Sequence, residues 1–109
     1  MARIISRGIE GVDGVSSAIS TVESEYADDA IIDIDELNGC DGLIIGSPTH
    51  FGNMAAPLKK FIDSTTAHWF NGTLSGKLGG VFTSTSSMHG GQETTLMSMI
   101  LPLLHHGMI

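Results

Sequence analysis

The run Gly42-Leu43-Ile44-Ile45-Gly46-Ser47-Pro48-Thr49-His50-Phe51-Gly52-Asn53-Met54 decides how this chain folds. Its first five residues are aliphatic and bounded by glycines, which fits a strand fully buried in a parallel sheet. The segment after that strand is longer than a connection requires. A reversal needs one or two turn formers, yet seven residues, Ser47 to Asn53, stand here and include an exposed-looking Phe51. Gly46, Gly52 and the small Ser47 let backbone approach a flat ligand with no Cβ in the way. Thr49, His50, Gly52 and Asn53 present N–H donors, and Phe51 presents a ring face. The stretch reads as a binding loop.

Downstream, Met54 to Thr66 has helical spacing. Met54, Leu58, Phe61 and Ile62 share one face, and Lys59 and Lys60 turn elsewhere. Asn53 is the expected N-cap, with Pro57 tolerated in the first turn. A polar stretch with aromatics, Ala67 to Gly76, precedes a second buried strand over Lys77 to Thr83. Ser84 to Gly91 is rich in hydroxyls and ends in two glycines before the longest helical pattern, Gln92 to His106. Pro102 is expected to kink that helix or end it early. Gly107-Met108-Ile109 resembles the start of another strand.

Upstream, Met1 to Gly11 reads as an amphipathic helix, Val15 to Val22 as a weak strand and Glu23 to Ala30 as a loop. Ile31 to Ile34 is short and extended, and Asp33 to Leu37 starts a helical turn. Helices alternating with strands imply an α/β domain with right-handed parallel crossovers. Ligands of such sheets bind at the carboxyl ends of the strands. Ser47–Asn53 and Ser84–Gly91 both lie there, the second at a helix N-terminus that favours negative charge.

The 109 residues suit one domain, 1–109. A formal net charge of −7, with five Lys and Arg, argues against nucleic acid or an anionic membrane surface as partner. No apolar run is long enough to span a bilayer, and the N-terminus does not read as a signal peptide. The single Cys40 cannot form an internal disulfide, so a cytoplasmic protein is the expectation.

The linked segments GSPTHFGNMAAPLKKFID, HWFNGTLSGKLGGVFTSTSSMHGGQETTL and LPLLHHGM resemble the tryptophan-repressor-binding-protein (WrbA) type of NAD(P)H:quinone oxidoreductase. The similarity runs from about Asp33 to Ile109. It implies a flavodoxin-like α/β fold, a parallel sheet with helices on both faces. It also implies FMN as cofactor, NAD(P)H as co-substrate, a quinone as electron acceptor and a dimeric or tetrameric homo-oligomer. By the matching motif, Pro48, Thr49, His50, Phe51, Gly52 and Asn53 edge the isoalloxazine ring. Ser84, Thr85, Ser86, Ser87, Gly90 and Gly91 hold its pyrimidine end and ribityl region. Trp69 and His106 are the implied catalytic pair, Trp69 lining the quinone and nicotinamide pocket and His106 reaching the site from a helix end. His50 stands where many relatives have Arg.

Relative to that family the chain begins after the first strand and its phosphate loop, and stops as the fifth strand starts. The expectation is an incomplete fold with weakened FMN binding. Hydrogen bonds to a charged group contribute about 1.5–3 kcal/mol each, so losing two weakens binding on the order of a hundredfold. A remnant without FMN binding, or a flavodoxin-type electron carrier, are the alternatives.

Other signals are weaker. Five histidines, His50, His68, His89, His105 and His106, lack metal-ligand spacing, and no metal is expected. Asn71-Gly72-Thr73 reads as a turn. The methionines from Met88 to Met108 read as packing or a subunit interface.

Overall fold

A computed structural model describes residues 15–22 and 30–109. The expected helix over Met1 to Gly11 and most of the loop after Val22 lie outside the described residues. The chain divides into two compact units, Met1–Asp33 and Ile34–Ile109.

In the first unit, β1 (Ser20–Thr21) and β2 (Ala30–Ile31) pair in parallel, Ser20 with Ala30 and Thr21 with Ile31. The weak strand expected over Val15 to Val22 is therefore two residues long.

The second unit starts with a 3-10 helix, Ile34–Asn38, which buries Leu37. Lys77 Nζ donates to the Leu37 carbonyl at 3.3 Å and closes the carbonyl end of that turn. Then come β3 (Gly42–Pro48), α1 (Ala56–Ser64), α2 (Thr66–Phe70), β4 (Leu78–Ser84) and α3 (Gln92–His105). β3 and β4 are parallel and in register from Gly42 opposite Leu78 to Pro48 opposite Ser84. Both therefore end at one level, and their C-terminal loops start side by side. Beside β4, the Gly79 N–H donates to the Ile109 carbonyl at 2.8 Å and the Ile109 N–H to the Lys77 carbonyl at 2.9 Å. This is the strand start expected from Gly107-Met108-Ile109.

Alternation along the strands separates two faces. Gly79 turns towards Leu103 of α3, with room for no more than a Cβ at 3.3 Å. The buried apolar set includes Ile45 on β3, Leu58 on α1 and Met99 and Leu103 on α3. The opposite face carries Ile44, Leu78 and Phe82. Gly46 is required there because the Phe82 ring lies directly over it, where a Cβ would overlap the ring atoms. This face is half open, with Ile44 43% and Leu78 66% exposed. The expectation of strands buried on both faces is thus corrected: within the described residues β3 buries only Ile45 and Ser47.

Two further expectations change. The residue preceding α1 is Ala55, with no side-chain cap, and not Asn53. Asn53 is held in the preceding turn, and the Ala55 N–H finds the Ser47 hydroxyl instead, at 2.8 Å. The polar stretch with aromatics begins inside the short helix α2, which carries Trp69. Pro102 sits inside α3, which continues to His105. A proline so near the end removes one N–H while the helix closes through later bonds, such as that from the His106 N–H to the Pro102 carbonyl at 3.0 Å. Among the described residues no helix is long and apolar enough to cross a membrane.

Candidate functional site

The loop after β3 closes on itself. The His50 N–H donates to the Asn53 carbonyl at 2.8 Å, and the Asn53 N–H returns to the His50 carbonyl at 3.0 Å. Between them Phe51 has φ +51° and Gly52 φ +73°, the left-handed pair of a type I′ turn. Glycine adopts that conformation freely, but for phenylalanine it costs roughly 1–2 kcal/mol. Phe51 is also 106% exposed. An aromatic ring held outside the core in a strained conformation has no folding role.

Under this turn runs a directed chain of hydroxyls. Thr83 donates to the Ser47 carbonyl at 2.7 Å, which uses its one hydrogen. Thr49, 3.3 Å from Thr83, must then donate to it, and Thr95 donates to Thr49 at 3.1 Å. Thr95 is fully buried. The chain links α3 to both strand ends. A second staple joins the end of the loop to α3: the Met54 N–H donates to Ser98 Oγ at 3.1 Å, and Ser98 donates to the Thr95 carbonyl at 2.7 Å.

The loop after β4 meets this turn backbone to backbone. A Cβ on Gly91 (φ +96°) would lie 3.2 Å from Gly52 Cα and 3.2 Å from Thr49 Cγ2. Within the loop the Ser87 carbonyl accepts from Thr85 Oγ1 at 2.7 Å and from Gln92 Nε2 at 3.2 Å. His89 is left-handed at φ +54°. Ser84, Ser86 and Ser87 are exposed, and Thr85 and Gly90 half-buried. Gln92 Oε1 is buried with no hydrogen-bond partner. It is an acceptor waiting at the first turn of α3.

A separate cleft of about 460 Å³ opens where α1 and α3 end, with Asp63, Thr65, Trp69, Pro102, His105 and His106 on its walls. Trp69 is 49% exposed, and its indole N–H donates to the His105 carbonyl at 2.9 Å. Its ring meets Phe70 edge to face at 4.9 Å. His106 Nε2 lies 2.8 Å from Thr65 Oγ1. Burial, and secondarily the nearby His68, hold the His106 imidazole below its ordinary value. Helical spacing puts the neighbours His105 and His106 on different faces, yet both line the cleft.

Two loops thus meet at the carboxyl ends of the parallel strands β3 and β4. The family description "NADPH-dependent FMN reductase" matches residues 18–109. The chain belongs to the NADPH-dependent FMN reductase family. Proteins named NAD(P)H dehydrogenase (quinone) from Solidesulfovibrio magneticus and Syntrophobacter fumaroxidans are 39% and 36% identical to it. Each aligns with all of the chain, and the chain spans 62% of the length of each. Among solved structures, a WrbA-like flavodoxin protein from Agrobacterium tumefaciens superposes with a TM-score of 0.63 at 33% identity, covering 67% of this chain and 46% of that one. A flavodoxin from the domain Archaea gives a TM-score of 0.73 at 25% identity over 99% of this chain and 65% of its own. The fold is flavodoxin-like, of the WrbA type.

Within this FMN reductase fold the expected site residues fall into two groups. Pro48 to Asn53 and Ser84 to Gly91 come together through Gly52 and Gly91. Trp69 and His106 come together in the cleft. The two groups do not meet within one chain. They lie at opposite ends of α3, whose 14 residues rise about 1.5 Å each, or about 20 Å in all. Sequence reasoning missed Thr65, Thr95 and Gln92. Gln92 was readable as the residue after a Gly-Gly helix entry. The two threonines carried no signal, because their roles depend on contacts with residues 41 and 46 positions away. Among the described residues no group of three or more His, Cys, Asp or Glu could hold a metal ion.

Proposed function

We propose that this chain carries the flavin-ring portion of an FMN-dependent NAD(P)H:quinone oxidoreductase that works in the cytoplasm as a homo-oligomer, a dimer or tetramer. The observation that carries the reading is Phe51, a fully exposed ring on a strained turn that packs against the second loop. The residues present fit a flavin. Gly52 and Gly91 let the two loops close on each other, Phe51 beside them supplies an exposed wall for a planar ring, and the unpartnered Gln92 Oε1 can accept from a ring N–H.

FMN, when bound, supplies the hydride and electron transfer. The chain's own residues bind, orient and exclude water. Phe51, Gly52 and Asn53 form a rigid edge, because the turn is closed by its own pair of hydrogen bonds. The Phe51 and Gly52 N–H groups take no part in those two bonds and remain donors for the ring. Ser84 to Ser87 offer hydroxyls and backbone donors to the polar end of the cofactor. Trp69 offers a ring face to a nicotinamide or quinone, and His106 a neutral imidazole beside it.

Since loops and cleft stand at opposite ends of α3, a complete site takes the loops from one copy and the cleft from another. The exposed apolar side of α3, with Met97, Leu101 and Leu104 each about half exposed, suits that association. The names of the two relatives support NAD(P)H and quinones as substrates. The test is NADH oxidation by the chain with added FMN and benzoquinone. Turnover above free FMN supports the reading, and rates no higher than free FMN contradict it.

The likeness to an archaeal flavodoxin over 99% of the chain favours one second reading, an electron carrier. A carrier's bound flavin is not reduced by NADH alone, whereas an oxidoreductase's is.

A further inference from the structure

We infer that Thr65 is a positioning residue of the Trp69 cleft. It fixes the tautomer of His106, so that Nδ1 is the only ring nitrogen able to change its proton without breaking a hydrogen bond. The role of His106 in turnover rests on the function proposed above, but the way its ring is held does not.

The reason lies in a count of hydrogens. A threonine hydroxyl has one hydrogen and two lone pairs. Thr65 Oγ1 lies 2.6 Å from the Ile62 carbonyl oxygen and 2.8 Å from His106 Nε2. A carbonyl cannot donate, so the hydroxyl hydrogen goes to Ile62. His106 Nε2 must then carry a hydrogen and donate it to Thr65. The reverse assignment, Thr65 donating to Nε2, gives up the bond to Ile62. It also puts the ring hydrogen on Nδ1, which is closed to water and has no partner. One arrangement makes two hydrogen bonds and the other makes one, with a donor stranded.

The support is rigid. Thr65 is only 4% exposed, and its own N–H donates to the same Ile62 carbonyl at 3.0 Å. The backbone of His106 is held independently by its N–H bond to Pro102. The ring can therefore neither slide along the cleft nor exchange its nitrogens without breaking the Thr65 contact.

The surrounding charges act in the same direction. His68 stands close enough to repel a proton on His106, and its own Nε2 faces Asp35 Oδ1 at 3.7 Å. Asp63 and His105 share the cleft wall. A second proton on His106 would have to enter at the buried Nδ1, in line with the lowered proton affinity of the ring. Any proton this ring gains or gives thus passes through Nδ1.

The experiment is a long-range ¹H–¹⁵N correlation spectrum of the imidazoles in the ¹⁵N-labelled full chain at neutral pH. His106 is assigned by its absence in His106→Asn. The expected spectrum has a pyrrole-type Nε2 and a pyridine-type Nδ1. Thr65→Ser, which keeps the hydroxyl, preserves that pattern, and Thr65→Val moves both nitrogens towards the averaged positions of free histidine. A wild-type ring with its hydrogen on Nδ1, or a Thr65→Val spectrum unchanged from wild type, overturns the inference. If Thr65→Val does not fold, the wild-type and Thr65→Ser spectra still decide. In the NADH–benzoquinone assay Thr65→Val lowers kcat about tenfold and Thr65→Ser no more than about twofold, the scale of one orienting hydrogen bond. Inactivity of every variant, wild type included, with the expected spectrum would sink the proposed function and leave the tautomer assignment standing.

Discussion

Phe51 separates folding from function at the level of a single residue. Its left-handed backbone is a cost to the fold, and its exposed ring makes no return on that cost among the described residues. Phe51→Gly is therefore expected to leave stability unchanged or raise it by up to about 1 kcal/mol, the relieved strain being offset in part by glycine's freedom in the unfolded chain. Thermal melts measure this. The same substitution is expected to weaken FMN binding, because a ring wall is lost. A structural residue would show the opposite combination. His106 gives a second prediction at this scale. Its imidazole binds a proton less readily folded than unfolded, so below the ordinary value of 6.5 the unfolded chain takes up more protons. Stability then falls as pH drops through 6.5 and levels off below the folded value. Melts from pH 8 to pH 5 should show this decline, and His106→Gln should reduce it.

Between elements, the contacts that matter are polar. The hydroxyl chain from Thr95 through Thr49 and Thr83 to the Ser47 carbonyl ties α3 to the ends of β3 and β4. Thr95→Val keeps the shape and deletes the first hydroxyl. A buried hydrogen bond lost in this way costs about 1–2 kcal/mol, measurable by urea denaturation. Because the chain also sets the two loops against one another, FMN affinity should fall with it. Helices and strands of this half were legible because their signals are local. The glycine-bounded run Gly42 to Gly46, the spacing of Leu58, Phe61 and Ile62, and the span Gln92 to His105 each lie within one element. The cap of α1 was not legible. Asn53 is a good N-cap by composition, but its backbone is taken by His50, and Ser47, eight residues away, serves the Ala55 N–H instead. The depth of burial of β3 was misjudged for a related reason. Glycines and aliphatic residues mark a strand, but not what covers its second face.

For the whole molecule the governing fact is separation. The loops that suit a flavin and the cleft that holds Trp69 and His106 stand about 20 Å apart along α3. That Gly91 and His106 stand at opposite ends of the Gln92 to His106 pattern was readable in sequence, whereas the placement of Trp69 beside His106 was not, because it rests on a contact between residues 36 positions apart. Under the proposed function a complete site depends on association. Met97, Leu101 and Leu104 succeed one another at spacings of four and three residues, which puts them on one side of α3. Leu101→Glu should shift the species seen by light scattering towards monomer and lower NADH–quinone turnover, with FMN affinity changed less. Monomer in both proteins would count against the shared site.

The central claim, that the loops after β3 and β4 hold the ring of FMN, is tested most directly by titrating FMN with the chain and measuring flavin fluorescence. The account expects saturable quenching by the wild type. It expects at least a tenfold weaker affinity in Phe51→Ala, about 1.4 kcal/mol, with an unaltered melt. Flavin fluorescence that does not change on addition of the chain, or equal affinity in the two proteins, would contradict it.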